Sequence, residues 1–471
     1  MQSASKEFVT DAGIELSDEQ INAVKVVLDF LDGPRYSLIL TGRAGAGKTT
    51  VTNYLREILG DRVVVCATTG RAALHAGGTT VDRLFNINRN TWQFRSSNKL
   101  WDIMMGIHGE SDVIIIDEAS MIGRRMAELI NEASRRCEKK IILVGDWAQA
   151  QPVKDELDLS MPLFQEAELV KLLECRRQDD QRFLDALDSV RRGEITQDAD
   201  ALFGSRDISK HPLEVPDEVV VLMSTNASVY NLNQARLKEH ADDTGNVVYS
   251  HVPTVTGYRG VYLDPETCTR DQQVERERAL ANSPCDGQFD FALGCHVMLT
   301  MNSNRQTDEQ EAPYDDLSQR DEQSDLASSP FRYVNGDTGK IVKVRVVEDR
   351  DFYEPADERV GDNIMVWVQL DRNKDIVCVR SRTFNFLNEK EEVVSSVYGV
   401  PIRLAYAVTI HKSQGSTIPK VLFDMSTLAS FPSREGLAYV ALSRVRELDD
   451  LFIFGWNREW VQAPEQARPL L

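Results

Sequence analysis

The chain has 471 residues, 42% hydrophobic and 27% charged, a balance that suits roughly two to four folded soluble domains and excludes a wholly disordered chain. No apolar run approaches the ~18 residues of a bilayer span, so no membrane partner is expected. The N-terminal MQSASKEFVTDAG lacks a signal peptide's apolar stretch, and seven scattered cysteines with no C-x-x-C pair argue against a disulfide scaffold or zinc ribbon and for a reducing cytosol. The net charge of −20 argues on average against a polyanion partner. A salt-rich habitat is another source of such acidity. Yet 38 of the 54 basic residues are arginine, the side chain better suited to phosphates and base planes, so a basic groove within an acidic surface stays open.

In chain order, the first 150 residues carry four short apolar runs, Tyr36–Leu40, Arg62–Cys66, Asp112–Ile116 and Lys140–Val144. Each predicts a buried strand of a parallel sheet with helical stretches between. Each ends at once in polar or glycine residues: Thr41-Gly42, Thr68-Thr69-Gly70, Asp117-Glu118 and Gly145-Asp146. Open α/β sheets place ligands at the carboxyl ends of their strands, so four segments deliver polar groups to one edge.

Gly42-Arg-Ala44-Gly45-Ala46-Gly47-Lys48-Thr49, followed by Thr50, fits G-x4-G-K-[ST] between a predicted strand and a predicted helix. Glycines let backbone N–H groups turn inward on phosphate oxygens, Lys48 reaches the β/γ-phosphates, and the Thr49 hydroxyl can hold Mg²⁺. The helix that follows adds its positive N-terminal end. Asp117 closes the third strand as a second Mg²⁺-holding group. Its neighbour Glu118 can orient and deprotonate water, which favours hydrolysis of ATP over simple nucleotide binding.

Later runs at Glu218–Met223, Lys420–Asp424 and Asp450–Phe454 predict a second α/β core. Between them, Gly339–Val347 and Asn363–Leu370 read as β-type, so residues 339–400 predict a small β-barrel inserted into that core. Residues 303–330 hold eight acidic residues and almost no large aliphatic ones. That segment, and the similarly polar 264–290, are expected to be solvated, flexible loops.

Leu16-Ser-Asp-Glu-Gln20, Asp117-Glu-Ala-Ser-Met121 and Gly145-Asp-x-x-Gln149-x-Gln-Pro152 together resemble superfamily 1 helicases. Ala405-Tyr-Ala-Val-Thr-Ile-His411-Lys-Ser-Gln-Gly415 and Tyr439-Val-Ala-Leu-Ser-Arg444-Val narrow the resemblance to the RecD-like, PIF-type and Dda-type group of superfamily 1B. The matches run in family order from about residue 16 to 455.

The resemblance implies an α/β fold of two RecA-like P-loop NTPase cores. The first core is expected at 1–175, with a small wedge insertion at about 86–110. The second is expected at 176–338 and 401–471, with an SH3-like β-barrel at 339–400. It implies that Gln20 reads the adenine edge, that Gln149 senses the γ-phosphate, and that Arg177 and Arg444 are arginine fingers, with Gly415 beside the nucleotide. Arg176, next to Arg177, departs from the usual pattern of relatives.

For the nucleic-acid strand the resemblance implies contacts from Thr68, Thr69, Gly70 and Arg71, from Thr225, Asn226 and Asn335, and from Thr409, His411 and Lys412. Phe85 could stack a base or pack in the core, and Trp92, Phe94 and Trp101 lie in the wedge, where an aromatic tip could stack on the terminal base pair or pack between hairpin arms. The function implied is that of a monomeric ATP- and Mg²⁺-dependent DNA helicase acting on single-stranded and forked DNA, 5′ to 3′. Its expected place is the cytoplasm of a bacterium or phage-infected cell, beside replication or recombination proteins. A translocase on DNA or RNA that opens no duplex, and a nucleotide-gated binding module, are the alternatives.

Overall fold

The computed structural model describes residues 8–10, 13–68, 79–88, 91–95, 100, 104, 111–152, 155–174, 180–216, 219–301, 303, 333, 337–347, 363–371, 373–387, 393–415, 417–431 and 433–471. Two compact units divide the chain, residues 1–226 with 408–471, and residues 227–407.

The first unit holds two parallel sheets. In the larger, six strands run in the order Thr79–Thr80, Val63–Ala67, Val113–Asp117, Lys140–Gly145, Ser37–Gly42, Glu168–Leu172, all paired in parallel. The four predicted runs are its four central strands. They read as unbroken apolar stretches because both faces are covered. Leu38 and Leu40 point into one core with Val24, Val27 and Val51 from the helices Asp18–Asp32 and Lys48–Leu59. Ile39, Ile114 and Ile116 point into the other, with Met126 and Ile130 from the helix Arg124–Arg136. All the carboxyl ends therefore share one edge.

The smaller sheet pairs Val220–Met223, Val421–Asp424 and Leu451–Phe454 in parallel, with Ala407–Thr409 beside Val220–Met223. These are the three later runs, so the chain has two RecA-like α/β cores. Asp207 fastens the last strand of this sheet. Its buried carboxylate accepts from the Ser209 amide and hydroxyl at 3.1 and 2.7 Å and from the Gly455 and Trp456 amides at 3.0 Å each, and Lys210 pairs with it at 3.1 Å. Burial alone would raise its pKa, but these donors outweigh burial and leave it below the usual carboxylate value.

A carboxylate depressed in the folded state adds stability above its unfolded pKa and loses it as pH falls through the folded one. Asp207→Asn should thus cost about 2 kcal/mol at pH 7, the scale of a charged hydrogen bond. In denaturant titrations the gap to the parent should narrow steadily below about pH 4. A gap that stays constant down to pH 2 would contradict this role.

The second unit is built on antiparallel strands. Five run in the order Ile376–Arg380, Asn363–Leu370, Thr338–Val347, His296–Leu299, Ile402–Leu404, and three in the order Thr254–Thr256, Val393–Gly399, Arg382–Leu387. The β-type runs expected between 339 and 400 are present, and their described strands fall in two sheets that also take in strands from before residue 300. Thr338–Gly339–Lys340 pairs with His296–Val297–Met298, and Val393–Gly399 pairs with Thr254–Thr256.

The flexible loop expected at 264–290 is corrected by the helix Arg270–Asn282 and the strand Phe289–Phe291. A capping box between Thr269 and Gln272 starts the helix. Ala279 is buried in a small core with Val255, Leu263, Cys285 and Val397, and Leu280 packs against it half-buried. One buried residue among the eleven whose burial is described leaves no apolar stripe to read. Of the acidic run 303–330, all but Ser303 lies outside the described residues.

Candidate nucleotide and strand site

The phosphate loop closes the strand Ser37–Gly42 and opens the helix Lys48–Leu59. Gly45 and Gly47 hold φ of 83° and 79°, the left-handed region that glycine adopts without strain. At residue 47 a side chain is also excluded by space, since a Cβ would lie 2.1 Å from Gln20 Nε2. Gln20 is held there by the capping box of the helix Asp18–Asp32. Its Oε1 accepts from the Ser17 amide at 3.0 Å, and its own amide donates to Ser17 Oγ at 3.3 Å. The matched glutamine is thus fixed against the loop, with its NH₂ group on Gly47.

Lys48 donates from Nζ to the carbonyls of Gly42 at 2.7 Å and Arg43 at 3.0 Å. Burial lowers its pKa, opposed by the charges of Asp146, Glu118 and Asp117. Ala46 is buried beside it, while Thr49 is exposed on the first helical turn and Thr50 is half-buried. Asp117, at its strand end, accepts the Glu118 amide at 2.8 Å. Burial, reinforced by the Glu118 charge, pushes its carboxyl up to about 7.

Glu118 sits at φ 52°, a turn that aims its carboxylate across the site. Oε2 accepts from Gln414 Nε2 at 3.3 Å, and a Cβ on Gly415 would lie 3.0 Å from Oε1. Thr68 donates its hydroxyl to the Glu118 carbonyl at 2.9 Å. Gln149 is buried on the loop after Lys140–Gly145.

Among the described residues, four buried polar atoms around this site have no hydrogen-bond partner: Thr41 Oγ1, Ser120 Oγ, Gln149 Oε1 and Gln414 Oε1. An unpaired buried polar group costs about 1–3 kcal/mol, and native structures keep few. Such atoms beside a loop of inward N–H groups, one lysine and two crowded carboxylates fit a polyphosphate carrying a divalent cation.

Arg444 is fully buried. Its guanidinium donates to the carbonyls of Val440 at 2.6 Å and Ser413 at 3.3 Å and to Ser443 Oγ at 2.7 Å. It therefore braces the turn whose next residues, Gln414 and Gly415, meet Glu118. Arg177, Thr69, Gly70, Arg71, Trp101 and Asn335 lie outside the described residues.

Phe85 is a correction. It is 0% exposed among Val81, Leu84, Ile116 and Met126, so its ring has no face for a base. Phe85→Ala should cost about 3–5 kcal/mol of stability, read as a large fall in thermal midpoint. Strand affinity of the folded fraction should be unchanged. A loss of ~1–3 kcal/mol in strand binding at constant stability would restore the stacking role.

Trp92 and Phe94 are half-buried against the same core. They lie on a short hairpin that pairs Ile87–Asn88 with Gln93–Phe94, and Arg125 covers the Trp92 ring at 5.8 Å. Thr409 is buried and spends its hydroxyl on capping the turn Ile410–Ser413. His411 is half-buried, 6.0 Å from the Phe431 ring, and burial lowers its pKa. Lys412, Asn226 and Gly415 are exposed and Thr225 is half-buried.

Motif reading did not single out the groups that tie these parts together. Glu19 accepts from the amides of Leu173 and Glu174 at 2.7 and 3.0 Å, and Arg43 donates to the Leu173 carbonyl at 2.6 Å. The segment leading toward Arg177 is thus clamped from both sides. The Arg43–Leu173 bond spans 130 residues, a separation for which no periodicity gives a signal.

Residues 15–210 match the AAA domain family. The chain is 28% identical to the ATP-dependent DNA helicase Pif1 of Bdellovibrio bacteriovorus, over 94% of this chain and 89% of that one. It is 24% identical to Pif1 of Campylobacter jejuni, over 90% and 89%. Its fold is similar to the crystal structure of Pif1 helicase from Candida albicans, with a TM-score of 0.72 and 26% identity over 97% of this chain and 98% of that one.

Two RecA-like cores that meet at one phosphate loop are the arrangement of a P-loop motor. The motif order and these likenesses make the chain similar to superfamily 1B helicases of the PIF type.

Proposed function

We propose that the chain is an ATP-driven DNA helicase that moves 5′ to 3′ on single-stranded DNA and opens forked duplex. The observation that carries this reading is that groups from both RecA-like cores meet at one phosphate loop. Gln414 and Gly415 reach Glu118, and the Tyr439 hydroxyl accepts from the Ala44 amide at 3.1 Å. A ligand seated there touches both cores, so its turnover changes how they are held together, the requirement for a stepping motor.

The chemistry follows from the placement. Lys48 and the loop amides bind the β- and γ-phosphates of ATP. Thr49 and Asp117 would hold Mg²⁺, which neutralises phosphate charge when bound. Glu118 takes the proton of the attacking water, Gln149 bears on the γ-phosphate side, and Gln20 stands beside Gly47, where the nucleotide enters. Arg444 and Arg177 supply positive charge to the transferring phosphoryl group.

The segment of about 86–110, which includes the paired strands Ile87–Asn88 and Gln93–Phe94 and Trp92 at φ 53°, serves as the wedge. The strands within 338–399 form an SH3-like module that leans on upstream strands. The cores then divide near residue 175 and the module spans about 339–400. The strand lies along Thr68–Arg71, Thr225–Asn226, Asn335, His411 and Lys412. The protein works as a monomer in the cytoplasm, beside replication or recombination proteins.

Single-stranded DNA is expected to raise ATP turnover by tenfold or more, measured by phosphate release with and without a polythymidine strand. Turnover indifferent to any strand would favour a nucleotide-gated binding module.

A further inference from the structure

A buried chain of polar side chains crosses the first unit beside the phosphate loop. Tyr439, on the helix Leu437–Leu442, is buried. Its hydroxyl accepts the Ala44 amide at 3.1 Å and donates to Asp146 Oδ2 at 2.9 Å. The other carboxylate oxygen, Oδ1, accepts from Arg191 Nε and a terminal Arg191 nitrogen at 3.2 Å each, and from the Ala148 amide at 3.2 Å.

Asp146 is 0% exposed and Arg191 6%. Burial and the Asp146 charge raise the Tyr439 pKa far above neutrality, so the phenol keeps its proton as a donor. Asp146 also leads the charges that hold the Lys48 amine up against its burial. The helix end presses on the same loop, since a Cβ on Gly436 would lie 2.3 Å from the Gln149 carbonyl.

Taking a carboxylate and a guanidinium out of water is costly, and apolar side chains of the same volume would fill the space at less cost. What such a pair supplies, when every bond is made, is fixed geometry. Here the fixed parts are the phosphate loop, through Ala44, and the Gln149 loop, through Asp146. The group that joins them comes from the second core.

We propose that Tyr439 and Arg191 are positioning residues for ATP hydrolysis: their joint hold on Asp146 sets the phosphate loop and the Gln149 loop in one register. This rests on the reading that ATP binds the phosphate loop, and adds that the second core takes part through a phenol as well as through arginines.

Tyr439→Phe keeps the ring and removes the bridge. In the protein alone, amide exchange of peptides covering residues 42–48 should quicken several-fold in Tyr439→Phe, with the thermal midpoint within a few degrees of the parent. With ATP and strand, kcat should fall about ten- to a hundred-fold while KM for ATP stays within about threefold, the pattern of lost positioning. Arg191→Lys keeps the charge but not the two-pronged grip. It should show the same kcat loss in milder form, and it decides the matter if Tyr439→Phe does not fold.

Unchanged exchange and unchanged kcat would overturn the proposal, as would a loss that tracks only a lowered thermal midpoint. Binding of a fluorescent ATP analogue to the parent separates the two readings. If the parent fails to bind, the phosphate-loop reading fails. If the parent binds and turns over ATP but Tyr439→Phe matches it, only the positioning role fails.

Discussion

Lys48→Ala is expected to lower ATP turnover by at least about 10²–10³-fold, the scale of removing one preorganised donor from a developing charge. Lys48 is the one cation of the phosphate loop held on the loop's own carbonyls, those of Gly42 and Arg43. Its amine is partly desolvated and faces Asp146, Glu118 and Asp117. It is the single lysine in the loop segment 42–50. Alanine is a good helix former at this first helical position, so the fold should hold. Strand binding, read by fluorescence anisotropy, should stay near the parent's. Strand-stimulated phosphate release in Lys48→Ala would remove the loop from the mechanism.

Glu118→Gln should separate binding from chemistry. Glutamine keeps an oxygen where Gln414 Nε2 donates and tolerates the same backbone turn, but it cannot take a proton. General-base loss is typically worth 10²–10⁴ in rate. Phosphate release should fall by that factor, while a fluorescent ATP analogue binds as tightly as before or more so. Asp117 gains independently: removing the neighbouring charge that helps push its carboxyl up to about 7 should bring it back toward ordinary values. Near-normal turnover would show that another group activates the water.

How much of this was legible in the sequence depended on the range of the interactions. The strands Ser37–Gly42, Val113–Asp117 and Lys140–Gly145 were readable because burial on both faces demands continuous apolar residues. The phosphate loop was readable because its chemistry is local: two glycines at positive φ, then a lysine and a threonine. Phe85 was not, because the same residue type suits a base-stacking surface or a core. Only the packing of Val81, Leu84 and Met126 around it decides.

The helix Arg270–Asn282 was missed because it rests on a capping box and one buried alanine rather than on an apolar stripe. The Arg191–Asp146 pair joins residues 45 apart, and Tyr439 reaches Ala44 across 395. Such contacts follow from how the elements pack and leave no spacing to read.

The most direct measurement is strand displacement on duplexes with a 5′ tail, a 3′ tail or both, with ATP and Mg²⁺, alongside Lys48→Ala. Release is expected from 5′-tailed and forked duplexes only, dependent on ATP and absent in Lys48→Ala. Undiminished ATP turnover with no release from any of the three substrates would contradict the helicase account.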